Sequence, residues 1–282
     1  MEKEIEMRIG LDALRRAMEE PCRIEAVLYA RPSAAGPTWT RSYLKSPRLP
    51  VAHIEHCFAD RFDRLAPLPA ARAADYDTCL HWPTGYPEGA QRLINLLKEV
   101  LVLPTEDDHL DLAVTLDWYK ILDPTVASTD WENTVAGGLV QKAKYWVSNP
   151  RIQRASANRL IELLSEVVER HPALRAAPFV VSVPGSKGDG NSVGEYIAAG
   201  VAEQAGKTLI STTGPAREPR KGGGAAVGLD GQFVLPAMVE GACIVVDDVY
   251  KSGMTMRATA LAARKAGATA VYGIAAAKTI SG

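Results

Sequence analysis

From residue 177 onward, short apolar segments alternate with segments of helical pattern, and this alternation constrains the fold more than any other feature. The apolar segments are FVVSVP, KTLIST, ACIVVDDV and TAVYGIAAA, and the first and third lead through turns into helical patterns. Strands that alternate with helices form mainly parallel sheets, whose binding loops gather at the carboxyl ends of the strands. We therefore predict an α/β fold with a mainly parallel sheet flanked by helices.

The first 115 residues carry weaker signals. Apolar residues at near-helical spacing predict an amphipathic helix over residues 3–19, and IEAVLYA predicts a strand. Residues 31–89 are rich in Pro, Ala, Arg and Trp without a clean period, and HWPTGYPEG within them is typical of turns. We expect an α+β N-terminal extension over residues 1–115 and an α/β core over residues 116–282.

The middle of the chain has three clearer elements. Leucines and a valine at i, i+3, i+4 and i+7 predict a core-facing helix over residues 93–101, and LAVTLDWYKI resembles a strand. Thr129 and Glu132 have the spacing of a capping box ahead of a helix that ends at Tyr145. A second helix is predicted over residues 154–170.

Composition excludes several classes of function. The chain has 282 residues, of which 47% are hydrophobic, and its 32 basic residues nearly cancel its 33 acidic ones. This balance gives no support for bulk attraction to nucleic acid or acidic lipid. The charged N-terminus and the lack of a long apolar run predict a cytoplasmic protein without a membrane span. Four dispersed cysteines, with no CxxC pair, are typical of reduced thiols.

The most informative segment is CIVVDDVYKSGMT, residues 243–255. An apolar run suited to a strand buried on both faces ends on Asp247 and Asp248, and a turn with small residues leads into a helical pattern. Backbone N–H groups and the positive end of the helix dipole converge at such a turn, so it can hold a phosphate. Carboxylates cannot bind phosphate but accept hydrogen bonds from hydroxyls. Phosphate at one end and a diol at the other describe a ribose 5-phosphate.

This segment resembles the fingerprint of the type I phosphoribosyltransferases, in which an apolar strand, two acidic residues and a Thr/Ser-Gly-x-Thr/Ser loop bind phosphoribosyl pyrophosphate. The resemblance implies that Asp247 and Asp248 bind the ribose 2- and 3-hydroxyls. It also implies that the 5-phosphate lies in a loop formed by Lys251, Ser252, Gly253, Met254 and Thr255.

Within that family the chain is most similar to ComF-like proteins, over about residues 118–282. FVVSVPGSKGDGNSVGEYIAAG has a strand ending in Pro, a basic loop and a helix, although its Gly-Asn element lacks the intervening residue. The resemblance implies that Gly185, Ser186 and Lys187 form a loop that binds the pyrophosphate. Ser192 and Glu195 form a capping box by spacing alone. WENTVAGGLVQKAKYW resembles the ComF segment that ends in a Lys-Tyr pair, here Lys144 and Tyr145.

A basic, glycine-rich segment, AREPRKGGGAAVG, lies between these motifs. By itself it is typical of an exposed flexible loop. The resemblance makes it a mobile lid in which Arg217, Arg220 and Lys221 face the diphosphate, with Arg220 also in a catalytic role.

The resemblance implies a magnesium-dependent transferase that acts on phosphoribosyl pyrophosphate and a nucleobase or related nitrogen nucleophile. Asp247 or Asp248 would stabilise positive charge on the sugar, and Lys187 and the basic loop would stabilise the diphosphate. Mg²⁺ would bind mainly through the diphosphate, and the sequence assigns no direct protein ligand to it. The alternative is a non-catalytic ComF-like or nucleotide-sensing protein that uses the same site. Dimers are common in this family, but no periodicity in the sequence identifies an interface, so the oligomeric state stays open.

The N-terminal extension has no counterpart in the resemblance. It could form the hood that selects the nucleophile in this family, or it could dock a partner. Trp39, Trp82 and Tyr86 either stack on a base or, as we favour, lie in the core. The residues that could in principle bind zinc are His53, His56, Cys57, Cys79 and His81. Their spacing does not give the two pairs of ligands typical of a zinc site, so we favour core cysteines and surface histidines without a metal.

Overall fold

The computed structural model describes residues 22–32, 38–105, 109–123, 125–145, 148–217 and 229–280. Short 3₁₀ turns occur at Ala59–Arg61 and Ser128–Asp130. The helices and strands of the described residues are, in chain order, β1 (Ala26–Ala30), β2 (Thr40–Lys45), α1 (Arg48–Phe58), β3 (Asp63–Arg64), β4 (Thr78–Trp82), α2 (Ala90–Glu99), β5 (Leu101–Val102), β6 (Leu112–Trp118), α3 (Val135–Tyr145), α4 (Pro150–Arg170), α5 (Pro172–Ala176), β7 (Phe179–Ser182), α6 (Val193–Gln204), β8 (Thr208–Ser211), β9 (Gly241–Tyr250), α7 (Met254–Lys265) and β10 (Ala268–Lys278).

The larger sheet is mainly parallel, in the spatial order β5-β6-β10-β9-β7-β8. Five of its strands run parallel to one another, namely β6, β10, β9, β7 and β8. The short strand β5 lies at the edge and pairs antiparallel with β6. The predicted α/β class, with a mainly parallel sheet between helices, is confirmed.

Alternation along each central strand sends side chains to two separate cores. In β9, Ile244 and Val246 face a core that includes α3, α4 and α6, whereas Val245 faces a core that includes α7. All three side chains are fully buried. A strand covered on both faces has to be apolar throughout, which explains the unbroken IVV run.

The smaller sheet is antiparallel, in the order β1-β2-β4-β3, and packs with α1 and α2. Its core is continuous with that of the larger sheet: Leu44 and Trp82 belong to the same buried cluster as Val114 and Ile274. The predicted boundary between residues 115 and 116 stays a prediction, and it lies inside β6.

Several predicted elements are confirmed with shifted ends. The strand in IEAVLYA is β1, the leucine-rich helix is α2, and LAVTLDW is β6, which belongs to the parallel sheet. The helix predicted from residue 154 begins at Pro150, where Asn149 caps it by accepting from the Ile152 N–H. The helix predicted over residues 3–19 lies outside the described residues.

Two local predictions are wrong. The helix that ends at Tyr145 is not capped by Thr129 and Glu132: the Glu132 carbonyl accepts from the Ile121 N–H in an extended segment, and α3 begins only at Val135. Thr134 is the capping residue, since its hydroxyl accepts from the Gly137 N–H at 3.0 Å. The segment HWPTGYPEG is not all turn, because its first two residues end β4.

The cysteine thiols are all free. In the part of the chain that the structure describes, no helix combines the length and the apolar character needed to cross a membrane.

The start of α3 packs directly on the backbone that follows β6, and this contact tests the fold. A Cβ at Gly137 would overlap the Tyr119 carbonyl group, whereas the nearest atom to a Cβ at Gly138 is 3.9 Å away. We expect Gly137→Ala to lower the free energy of unfolding by about 1–3 kcal/mol, because backbone must move. Gly138→Ala is the matched control and should raise it by up to about 1 kcal/mol through helix propensity. Equal effects in denaturant unfolding would contradict this packing.

Candidate functional site

The candidate site lies where the order of the strands reverses. From β7 the chain passes through α6 to β8 on one side, and β9 then lies on the other side of β7. The helix after β7 packs on one face of the sheet, and the helix after β9 packs on the opposite face. The loops that follow β7 and β9 therefore diverge and leave a crevice at the carboxyl ends of these strands. In open α/β sheets ligands bind at this position.

Asp247 and Asp248 lie near the carboxyl end of β9 and form the acidic part of the site. Asp248 is 7% exposed, and Asp247 is half-buried. One Asp247 oxygen accepts the Asp248 backbone N–H at 2.8 Å. The pair is thus held within the strand, which continues to Tyr250 instead of ending on the pair as the sequence predicts.

Lys144 is the principal partner of the acidic pair. Its Nζ lies 2.8 Å from each carboxylate oxygen of Asp248, although 104 residues separate them. Burial alone would lower the pKa of Lys144, but the Asp248 and Asp247 carboxylates raise it above its ordinary value. The ammonium group therefore stays charged and fixes the Asp248 side chain. Sequence reasoning placed Lys144 only in a Lys-Tyr pair; Tyr145, the other member, is exposed.

The electrostatics of Asp247 differ from those of an exposed aspartate. Burial, reinforced by the neighbouring Asp248 charge and opposed by Lys144, raises the pKa of Asp247 to about 7. Two adjacent carboxylates that share one lysine resist full ionisation. A bound cation or a hydrogen-bond donor at Asp247 would relieve this cost.

The amino end of α6 adjoins the acidic pair. A Cβ at Gly194 would lie 3.5 Å from an Asp247 carboxylate oxygen and 3.6 Å from the Asp248 nitrogen, so the small residue permits close approach. The predicted capping box is confirmed: the Ser192 hydroxyl accepts the Glu195 N–H at 3.2 Å, and the Glu195 carboxylate accepts the Ser192 N–H at 2.9 Å. The positive end of α6 thus faces the carboxylates.

The predicted phosphate loop joins β9 to α7. Gly253 caps α7 with a φ of 76°, and a side chain there would collide with the Tyr250 ring. Lys251 and Ser252 are exposed, while Gly253, Met254 and Thr255 are partly buried. Glycine is therefore required both by the left-handed conformation and by the lack of space.

Lys278, at the end of β10, is a cation at this loop that sequence reasoning missed. Its Nζ donates to the Lys251 carbonyl at 2.9 Å and lies 5.4 Å from the centre of the Tyr250 ring. The residue ends a strand of otherwise apolar and small side chains, and a single terminal lysine is too common a pattern to mark a site.

The predicted pyrophosphate loop follows β7 and turns sharply. The Gly188 N–H donates to the Gly185 carbonyl at 3.1 Å, and Ser186 and Lys187 are exposed at the tip. A Cβ at Gly185 would lie 2.6 Å from the Ser192 Cβ, so this position also requires glycine. The exposed tip leaves Lys187 accessible to a ligand.

Arg217 binds the pyrophosphate loop itself. Its guanidinium donates to the Pro184 carbonyl at 2.5 Å, its backbone N–H donates to the Ser186 carbonyl at 2.7 Å, and its charge lies 5.1 Å from the Phe233 ring centre. Arg217 thus connects the segment after β8 to the loop after β7. Arg220, Lys221 and most of the predicted lid lie outside the described residues.

The aromatic and zinc candidates of the N-terminal region lie elsewhere. Trp82 is fully buried and packs 5.6 Å from Tyr86, as expected of core aromatics. His53 lies 3.2 Å from His171 and is buried with it. Within the described residues, no three His, Cys, Asp or Glu side chains are grouped to hold a metal ion.

Two pockets flank the amino end of α6. One, of about 430 Å³, lies between α6 and the end of β8; the other, of about 320 Å³, lies between α3, α4 and α6. Neither of these two pockets is lined by Asp247, Asp248 or residues 251–255. They are neighbours of the crevice at the strand reversal.

No family model matches this sequence, and no curated protein matches it significantly. The solved structures that are similar to part of it include two phosphoribosyltransferases. An orotate phosphoribosyltransferase from Aeropyrum pernix is 25% identical, with 43% of this chain and 58% of that chain covered and a TM-score of 0.29. A purine phosphoribosyltransferase from Pyrococcus horikoshii Ot3 is 17% identical, with 42% and 69% covered and a TM-score of 0.27.

The chain thus spans less than two thirds of the orotate enzyme that it matches. At these TM-scores neither comparison supports a function for this chain, so a function has to follow from the geometry of the site.

The Lys144–Asp248 ion pair yields a stability prediction. We expect Lys144→Met to lower the free energy of unfolding at pH 7 by about 2–4 kcal/mol, because a buried carboxylate loses its partner. Lys142→Met, at an exposed position of the same helix, is the control and should change it by less than about 0.5 kcal/mol. Adding Asp248→Asn to Lys144→Met should recover part of the loss, and additive effects would contradict the pairing.

The raised pKa of Asp247 predicts a pH dependence. The folded state prefers the protonated carboxyl, so the wild-type protein loses stability as pH rises from the ordinary pKa of 3.8 to about 7. Asp247→Asn removes this loss. The free energy of unfolding of Asp247→Asn minus that of wild type should therefore increase across this range. A difference that stays constant with pH would contradict the raised pKa.

Proposed function

We propose that this chain is a phosphoribosyltransferase that binds phosphoribosyl pyrophosphate between β7 and β9 and transfers its phosphoribosyl group to a nitrogen nucleophile. One observation carries the proposal. The carboxylates of Asp247 and Asp248 lie near the carboxyl end of β9 and the glycine-capped turn at Gly253 follows it, at the reversal point where α/β sheets bind ligands. The carboxylates that would accept hydrogen bonds from the ribose diol are thus only a few residues from the turn that would hold the phosphate.

The acidic pair supplies the ribose contacts in this proposal. Carboxylate oxygens of Asp247 and Asp248 accept from the ribose 2- and 3-hydroxyls. Lys144 keeps Asp248 oriented, since its Nζ contacts both oxygens at 2.8 Å. Lys144 is therefore a positioning residue.

The turn from Lys251 to Thr255 supplies the phosphate contacts. Its backbone N–H groups and the amino end of α7 favour an anion, and the Ser252 and Thr255 hydroxyls are donors. Lys278 adds positive charge at the Lys251 carbonyl. The loop itself contains no carboxylate that would repel the 5-phosphate.

The loop after β7 supplies the diphosphate contacts. Gly185 and Ser186 offer backbone amides, and Lys187 offers an exposed cation. Arg217, which the sequence predicts to face the diphosphate, also supports this loop by donating to the Pro184 and Ser186 carbonyls. We assign Arg220 and Lys221 to the diphosphate from sequence alone.

The residues present fit a magnesium ion that is bound mainly through the substrate. Mg²⁺ commonly uses one or two carboxylates together with substrate phosphates and water. Asp247, whose raised pKa marks an uncompensated carboxylate, is the oxygen donor that fits, while Asp248 is held by Lys144. When bound, Mg²⁺ would neutralise charge on the leaving diphosphate.

The reaction is a displacement at C1 of the ribose. The lone pair of the acceptor nitrogen forms the new bond to C1, the bond from C1 to the diphosphate oxygen breaks, and its electron pair leaves with the diphosphate. The proton on the acceptor nitrogen passes to solvent. Positive charge that develops on the sugar is stabilised by the Asp247 and Asp248 carboxylates, and Lys187 and Arg220 stabilise the diphosphate.

The second candidate is a non-catalytic, ComF-like or nucleotide-sensing protein that binds phosphoribosyl pyrophosphate or a nucleotide at the same site. The Lys144–Asp248 ion pair favours it, because a carboxylate already bound to an ammonium group stabilises a sugar cation less well. Binding and transfer can be separated by experiment.

Calorimetric titration with phosphoribosyl pyrophosphate, with and without Mg²⁺, tests the proposal when combined with pyrophosphate release on addition of a panel of nucleobases. We expect magnesium-dependent binding and release stimulated by at least one base. Binding without release would favour the sensor, and no binding would refute both functions.

Variants test the residue assignments. Asp247→Asn with Asp248→Asn should abolish binding, and Ser252→Ala with Thr255→Val should weaken it about tenfold or more through lost phosphate contacts. Thr269→Val, an exposed threonine at the start of β10, is the control and should bind as wild type. Lys187→Ala should reduce pyrophosphate release, and unchanged release would refute its diphosphate role.

A further inference from the structure

The end of β10 lies beside the turn that follows β9. In the parallel pairing of the two strands, Lys278 is the partner of Tyr250, and the Thr279 N–H donates to the Tyr250 carbonyl at 3.0 Å. The predicted phosphate loop begins at the next residue, Lys251. The sheet therefore brings Lys278 to the start of this loop, although 27 residues separate it from Lys251 in the chain.

The Lys278 ammonium group holds the first residue of the loop. Its Nζ donates to the Lys251 carbonyl at 2.9 Å and to the Thr279 carbonyl at 2.7 Å. It also lies 5.4 Å from the centre of the Tyr250 ring, which is within the range of a cation–π contact. Contacts with two carbonyls and a ring fix the ammonium group, which in turn fixes the direction of the Lys251 carbonyl.

The direction of that carbonyl sets the direction of the next N–H group. The peptide bond between Lys251 and Ser252 is trans. In a planar trans peptide the C=O and N–H bonds point in opposite directions. Because the Lys251 carbonyl points to Lys278, the Ser252 N–H points away from Lys278. No described residue accepts a hydrogen bond from it, so a ligand can use this donor.

The turn continues over the ring that Lys278 contacts. Gly253 has a φ of 76°, and a side chain at this position would overlap the Tyr250 hydroxyl. Helix α7 makes its first backbone hydrogen bond from the Arg257 N–H to the Gly253 carbonyl, at 2.8 Å. The N–H groups that precede Arg257 in this helix therefore have no acceptor within it. They extend the row of donors that begins at Ser252.

We propose that Lys278 is a positioning residue for the phosphate loop. By holding the Lys251 carbonyl, it directs the Ser252 N–H to the 5-phosphate of the ligand and acts through the loop rather than by touching the phosphate. This inference rests on the proposed function and deepens it. Donors that are already oriented before the ligand arrives lose less conformational freedom on binding, which favours affinity.

The first test is calorimetric titration of the full chain with ribose 5-phosphate. Lys278→Met keeps most of the side-chain length but removes the donor, and it should weaken binding about tenfold or more. Lys278→Arg keeps a donor and should restore binding to within a few-fold of wild type. Lys265→Met removes an exposed lysine at the far end of α7. It changes the net charge equally and should bind as wild type.

Thermal unfolding checks that these variants are folded, and Lys278→Leu, which also lacks a donor, replaces Lys278→Met if that variant is unstable. Binding of ribose 5-phosphate by a folded Lys278→Met or Lys278→Leu with the affinity of wild type would overturn the proposal.

A double-mutant cycle separates positioning from a general effect of charge or stability. Ser252→Ala with Thr255→Val removes two hydroxyl donors of the loop and should weaken binding about tenfold in the wild-type background. In the Lys278→Met background the loop is already misplaced, so the same change should weaken binding by less than about threefold. Effects that simply multiply would show that Lys278 does not act through the loop, and would refute the positioning role.

Ribose 5-phosphate has no diphosphate to release, so this inference and the proposed function fail differently. If Lys278→Met weakens ribose 5-phosphate binding but no nucleobase stimulates pyrophosphate release, the positioning role stands and the transferase is refuted. If release occurs and a folded Lys278→Met binds as wild type, only the positioning role is refuted. If neither ribose 5-phosphate nor phosphoribosyl pyrophosphate binds to the wild-type protein at millimolar concentration, both are refuted.

Discussion

The ion pair between Lys144 and Asp248 joins α3 to β9, the strand that carries the acidic pair. Two adjacent carboxylates, one buried and one half-buried, would be unstable without a cation, because burial removes water that would stabilise their charges. Lys144 supplies that cation from α3, a helix whose first turn packs on the backbone after β6. The position of α3 is therefore set at one end by packing and at the other by charge.

The same interaction leaves Asp247 as the less compensated carboxylate. Its raised pKa follows from burial beside a neighbouring charge, with one lysine shared between two acids. Such a carboxylate lowers the free energy of unfolding at neutral pH. Carboxylates with strongly raised pKa values are commonly found at functional sites, where they bind cations or hydroxyl donors. The geometry of the strand reversal explains why the cost falls here, because the crevice exists only where the loops after β7 and β9 diverge.

Local signals in the sequence were reliable where no distant segment competed for the same backbone. Ser192 and Glu195 form the capping box that their spacing predicts, because each side chain accepts the backbone N–H of the other residue. Thr129 and Glu132 have the same spacing and fail, because the Glu132 carbonyl is bonded to Ile121 in an extended pair. The buried run before Asp247 was equally readable, since only apolar residues are compatible with a strand covered on both faces.

The sequence by itself determined the α/β class, the acidic pair at the end of a buried strand and the glycine turn after it, because each depends on neighbouring residues. Only the tertiary structure decided that Lys144 pairs with Asp248, that Lys278 reaches the phosphate loop, and that Arg217 supports the pyrophosphate loop. These contacts join residues that are far apart in the chain, and nothing in local spacing encodes them. The strand order β9-β7-β8, which opens the crevice, is likewise a property of the folded sheet.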